Sequence, residues 1–467
     1  MTAVSLFSEK VVLGERPRQI VPATIDIAAG QITNVTPQPR QALKALPDVD
    51  LGTMLIAPAF INSHTHLPMV ALRGIGGLSS LRGNVVEDLY FKIEQKLTAE
   101  DIRAFARMGA YECLLSGTGA VWDHYYCATA VAEAMAEVGL GGVLAPTLQD
   151  ISGPGVIRLD KQLYETKELD DNWSSQGIYA ALGPHATDTV SDALWARVAD
   201  LAETRNLPIH VHLAQSPDEF SRAQSRHGHP PLRHLIELGV LDAAPQSMLV
   251  HGLYVSNDEI NALPQDRVAL GYCPASQAQF DFPADVFAWE SAGVKTALGT
   301  DAGACNDTID IQAELRALAI GTGFGLTQSR HRQDFAQAPS QENLSALISH
   351  RRADHAARKS PDDVLDSVWT VPGRMHPKVR LGEITPGAGA NLVVIDLDHP
   401  ALWPATDPLH ALVYNRCTSA IHGLMVGGKW IGQRGQFAQS LIQSTHYKES
   451  VTEATARLSA LLKRANL

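Results

Sequence analysis

The sequence predicts an α/β fold: a (β/α)8 TIM-like barrel with a small β-sandwich side domain built from both chain ends. Three observations predict it. From about residue 57 to 375, short apolar strand-like runs alternate with segments of helical spacing, as in a parallel sheet closed on itself. Ligand-type side chains stand at the ends of several of these runs, at the rim where such barrels carry their chemistry. Short alternating β runs, punctuated by turn residues, occur at both ends of the chain.

Residues 1–56, with KVVLG and ATIDIAAGQITNVTP, read as the N-terminal part of the side domain. Its C-terminal part falls at 376–440, where GANLVVIDL and SAIHGLMVGGKWIGQRG repeat the pattern, and the barrel fills 57–375. Within the barrel, MLIAPAFINSH reads as one apolar strand. LTAEDIRAFARMGAYECLLSG reads as a helix capped by Thr98, with Glu100 in its first turn. GAVWDHYY, GGVLAPTLQ, PIHVHLAQ, SMLVHGLYV, VALGYCP and VKTALGTDA are further strands; ATAVAEAMAEVGL and SDALWARVADLAETRN are helices between them. Residues 325–360 are polar and locally basic, which reads as a solvated loop and helix face, with a substrate lid as the alternative. Residues 441–467 end in an amphipathic helix expected to pack on the body.

Composition narrows the function. A formal charge of −12 disfavours nonspecific binding to nucleic acid or to an anionic membrane, both of which need a basic face. Five scattered cysteines without CxxC spacing fit reduced thiols rather than a disulfide framework. The N-terminus lacks the pattern of a signal peptide, and no apolar run approaches the roughly 18 residues of a membrane span. A cytoplasmic protein acting on a small molecule is the expectation.

The chain has 18 histidines, and their positions sort them. His64 and His66 alternate at the end of an apolar strand, so both point to one face. His212 closes PIHVH, His251 closes SMLVH and Asp301 closes VKTALGTD. Imidazoles and one carboxylate arriving from different strands make a divalent metal site suited to zinc or ferrous iron. Asp301 would balance charge and accept a proton from water made nucleophilic there.

These residues stand in motifs that resemble the amidohydrolase superfamily, in the branch of the methylthioadenosine/S-adenosylhomocysteine deaminases and the triazine hydrolases. APAFINSHTHLPMVALRG, LLSGTGAVWDHYY, LGPHATDTVS, HVHLAQS, MLVHGLYVSNDEI and LGTDAGACNDTIDIQAELR resemble its motifs in order, across most of the chain. The resemblance implies a single divalent ion per chain, zinc first and iron as the alternative, held by His64, His66, His212 and Asp301. It implies that His251, beside Asp301, orients and deprotonates the hydrolytic water. The fourth strand, YAALGPH, lacks the bridging lysine of binuclear members, which favours one metal. His185 and Arg73 fall at substrate-contacting positions, with hydrogen-bonding or loop-bracing roles as alternatives; His210 reads as structural. A homodimer is a family-level expectation.

The pattern breaks at one place that matters chemically. The deaminases carry a glutamate where this sequence has Gln215, and an amide can hydrogen-bond substrate but cannot shuttle a proton. Tyr272 and Gln277 likewise replace a histidine and an asparagine. Asp301 could carry the proton alone, the substrate could need little ring protonation, or Glu219, one helical turn on, could reach in. The expected activity is hydrolysis of a C–N bond in an N-heterocyclic small molecule, with Gln215 and His185 positioning substrate. Loss of a different leaving group (dechlorination or cyclic amide opening) is the alternative, and a catalytically silent ligand-binding relative is the reading from another class.

Overall fold

The computed structural model describes residues 3–75, 84–280, 282, 284–325, 337, 340–356 and 359–467. Eight parallel strands form the barrel: Phe60–His66, Thr118–Tyr125, Gly141–Leu148, the pair Ile178–Ala180 and Gly183–Pro184, Ile209–Leu213, Ser247–His251, Val268–Tyr272, and the pair Lys295–Leu298 and Asp301–Ala302. Two seams close the ring. On one side Asp301 lies opposite Thr65 and Ala302 opposite His66, so the eighth strand pairs with the first. On the other, Leu182 bridges to Ile209, and the amide of His212 donates to the carbonyl of His185 at 3.1 Å. Asn62 reinforces the first seam, donating to Thr300 Oγ1 at 2.8 Å while its Oδ1 accepts the Thr300 amide at 3.1 Å.

The helices form where caps and apolar faces predict them. Ala99–Leu115 starts at Thr98, whose hydroxyl accepts from the Asp101 amide; Asp101 answers back, completing a capping box one residue beyond Glu100. Asp101 is 2% exposed and is neutralised by Arg464 and Arg457 of the terminal helix Thr445–Ala465, which packs along this face. That helix begins ahead of the amphipathic run, where the Ser444 side chain caps it.

The strand read as MLIAPAFINSH is two strands. Leu55–Pro58 joins the side sheet, and Phe60–His66 opens the barrel. Pro58 has no amide to donate, so a ladder changes partners cheaply there. The side sheet has eight strands in one sheet, with the N-terminal strands joined through Leu55–Pro58 to Leu392–Ile395 from the other end. Leu6, Ile25, Ile56, Leu392 and Val394 form its own core. Gln341–Ala356 is a helix whose described side chains are mostly exposed, and residues 326–336, 338–339 and 357–358 of the polar stretch lie outside the described residues.

Trp369 anchors the start of the first barrel strand. It is wholly buried, stacks on Phe60 with ring centroids 6.3 Å apart, and lies under the Arg18 guanidinium. Trp369→Ala should cost about 3–5 kcal/mol, read as a lower urea midpoint at unchanged m-value.

Candidate metal centre

The histidines predicted from strand ends meet at the C-terminal rim of the barrel. His64, His66 and Asp301 place ligand atoms within 4.8 Å of one another, and so do His64, His212 and His251. Nε2 of His64 lies 3.6 Å and Nε2 of His66 3.5 Å from Asp301 Oδ1, while Nε2 of His212 lies 3.3 Å from that of His66. The outer nitrogens are spoken for. Nδ1 of His66 donates to the His124 carbonyl at 2.5 Å, and Nδ1 of His212 donates to the His185 carbonyl at 3.0 Å. A carbonyl can only accept, so each of these rings carries its proton on Nδ1 and leaves Nε2 as a lone pair facing the centre.

Three backbone positions at this rim are left-handed without being glycine: Ala214 at φ 48°, His251 at 77° and Asp301 at 59°. Such conformations cost of order 1–3 kcal/mol each and persist where the surroundings impose them. Here they turn strand ends so that His251 and Asp301 face the same space as His64. Gly299 allows the close packing, because a Cβ there would lie 2.7 Å from the His64 amide nitrogen.

Electrostatics suit cation binding. Burial holds His64 down to about 3 and keeps the His66, His212 and His251 imidazoles neutral, so their lone pairs are free. Burial acts to raise the Asp301 carboxyl, but a proton shared with His64, or positive charge on the His251, His64 or His66 ring, outweighs it and holds the group below the ordinary carboxylate range. Ser276 donates to Asp301 Oδ2 at 2.5 Å and the Ala302 amide donates to Oδ1 at 2.8 Å. Nε2 of His64 is buried and has no hydrogen-bond partner among the described residues. An unpartnered ring nitrogen amid neutral imidazoles and one carboxylate fits the donor set of a divalent cation.

The other predicted residues separate. His185 and Gln215 line the cavity above the centre; Nδ1 of His185 pairs with Thr189 Oγ1 at 3.0 Å. Arg73 lies elsewhere, paired with Glu112 at 2.7 Å beside Tyr111 and Tyr447, where it braces the first loop against the barrel helix. Glu219 does not reach in. Its carboxylate accepts from Thr187 Oγ1 at 2.7 Å and from the Gln215 amide at 2.8 Å, tying together the loops that carry His185 and Gln215. Gln277 donates to the His251 carbonyl at 3.3 Å and so braces a candidate catalytic residue.

Cavity residues that sequence reasoning missed include Glu94, Tyr90, His124 and Cys305. Glu94 is 4% exposed, and burial pushes its carboxyl up to about 7. FKIEQ carries no ligand-type spacing in the sequence, and Glu94 faces the cavity through the short helix Phe91–Glu94 between the first strand and Ala99–Leu115. A second histidine grouping, His227 and His234 with Asp192, lies apart from this centre. Its rings stack 3.6 Å apart at 19°, and a nitrogen of each faces Asp192 Oδ1, at 3.7 Å and 3.0 Å.

A sequence profile for the amidohydrolase family matches residues 55–335. The 5-methylthioadenosine/S-adenosylhomocysteine deaminase of Haloarcula marismortui is 29% identical over 380 residues, covering 80% of this chain and 79% of its own. The 5'-deoxyadenosine deaminase of Methanopyrus kandleri is 27% identical, covering 88% of this chain and 89% of its own. Among solved structures, a zinc-bound adenosine deaminase from Xanthomonas campestris superposes with TM-score 0.81 at 22% identity, covering 98% of both chains. A triazine hydrolase from Arthrobacter aurescens gives 0.78 at 19% identity, covering 97% of this chain and 99% of its own. At these identities the structural likeness speaks to the barrel and its side sheet.

Proposed function

Since the chain belongs to the amidohydrolase family, and is on that ground a metal-dependent hydrolase, we propose that it removes an amino group from an N-heterocyclic small molecule. The observation that carries this is the convergence of Nε2 of His64, His66 and His212 on the Asp301 carboxylate, with the outer nitrogens of His66 and His212 already committed to carbonyl acceptors. His64, His66, His212 and Asp301 would hold one divalent ion, zinc in the first instance. When bound, that ion supplies Lewis acidity, making water a competent nucleophile near neutral pH.

The chain's own groups do the rest. Asp301, whose carboxylate accepts hydrogen bonds from Ser276 and the Ala302 amide, accepts the proton of the attacking water, and His251, close to His64 and His212, orients that water. The ring carbon gains the oxygen, the proton passes from Asp301 to the exocyclic nitrogen, and ammonia leaves. His185 and Gln215 line the cavity where the ring would lie and hold it by hydrogen bonds. An amide at 215 favours a ring that needs little protonation, which also keeps a different leaving group, such as chloride, as the second reading. The deaminase names of the relatives support the first.

The test is ammonia release from aminated purines, pterins, pyrimidines and triazines by metal-loaded protein. A hit supports the proposal. Silence across the panel with metal bound moves the reading to another leaving group or to ligand binding. Stripping the ion with a chelator should remove activity entirely and one equivalent of zinc should restore it, with elemental analysis reading the stoichiometry. Activity that survives stripping would overturn the metal-dependent reading.

A further inference from the structure

His210 stands two residues before His212 on the fifth barrel strand, and side chains two apart share a face. It is wholly buried, and its Nε2 lies 2.9 Å from Nδ1 of His64, with the rings edge to face at 86°. A hydrogen bond between two imidazole nitrogens needs one N–H and one lone pair. To ligate a cation His64 must keep its lone pair on Nε2, the nitrogen facing Asp301, so that its proton sits on Nδ1 and His64 donates. His210 therefore accepts at Nε2 and carries its own proton on Nδ1, which is buried without a partner among the described residues.

We propose that His210 is a positioning residue for the metal ligand His64, locking its tautomer and ring orientation and thereby strengthening divalent-cation binding. The inference rests on the ligand set of the proposed function. His66 and His212 lean on the backbone carbonyls of His124 and His185, which no substitution removes. His64 leans on a side chain. Outer hydrogen bonds of this kind typically contribute about 10–100-fold in metal affinity.

The experiment measures zinc dissociation constants by chelator competition on the full chain, for wild type, His210→Phe and His210→Gln. Phenylalanine keeps the ring volume without an acceptor; glutamine places its Oε1 near the position of the lost Nε2. His210→Phe should bind about 10–100-fold more weakly, with His210→Gln recovering most of the loss. Wild-type affinity in His210→Phe, or equal loss in both variants, overturns the proposal. The imidazole 15N spectrum of zinc-loaded wild type is a second readout that needs no variant. It should show His210 neutral with its proton on Nδ1, and a proton on Nε2 overturns the proposal. A wild type that takes up no ion would instead fail the ligand set itself, which separates the two failures.

Discussion

Asp301→Asn should leave a folded protein that no longer turns over. The two side chains are nearly isosteric, and the retained oxygen can still accept from the Ala302 amide, which donates to Oδ1 at 2.8 Å. The new amide can donate to Ser276 Oγ, reversing the hydroxyl's present role as donor to Oδ2. What disappears is the negative charge facing His64 and His66 and the carboxylate oxygen proposed to take a proton from water. Loss of a general base alone typically costs about 10²–10⁴-fold in rate, and weaker metal binding adds to it. Steady-state rates, a thermal melt and metal content measured together decide the matter. Normal rates in this variant would remove Asp301 from the mechanism.

Gln215→Glu should move activity in the other direction on aminated purines, by up to the same factor of about 10²–10⁴, because it introduces the acid that protonates a ring nitrogen. The main chain is already set for it: the Gln215 amide is held by Glu219 at 2.8 Å and the side chain lines the cavity. Burial also raises two of the carboxyls nearby, Glu94 to about 7 and Glu219 in the same direction, although Asp301 in the same cavity is held low. The check is kcat/KM on the purine panel for variant and wild type. An unchanged rate on purines, or a fall on the native substrate, would mark Gln215 as suited to a ring that needs no protonation.

Much of this site was legible before folding was considered. His64 and His66 at alternate positions, and His212, His251 and Asp301 each closing an apolar run, could be read because strand periodicity and the barrel's rim are local regularities. The motif order carried the family. Less legible was the point where the chain crosses from side sheet to barrel, since Leu55–Pro58 and Phe60–His66 are equally apolar and only their partners differ.

What the sequence by itself determined, then, is the set of donor atoms and the strands that bear them, because residue type and period two are local properties. The tertiary structure decided which nitrogens remain free, because that depends on acceptors supplied by other strands. His66 is oriented by His124, His212 by His185, and His64 by His210 from four strands away. It also decided that Arg73 pairs with Glu112, that Glu219 ties two loops and that Glu94 faces the cavity. A side chain's role here is set by what closes around it, and closure of the barrel joins residues up to 238 positions apart, as at Asn62 and Thr300.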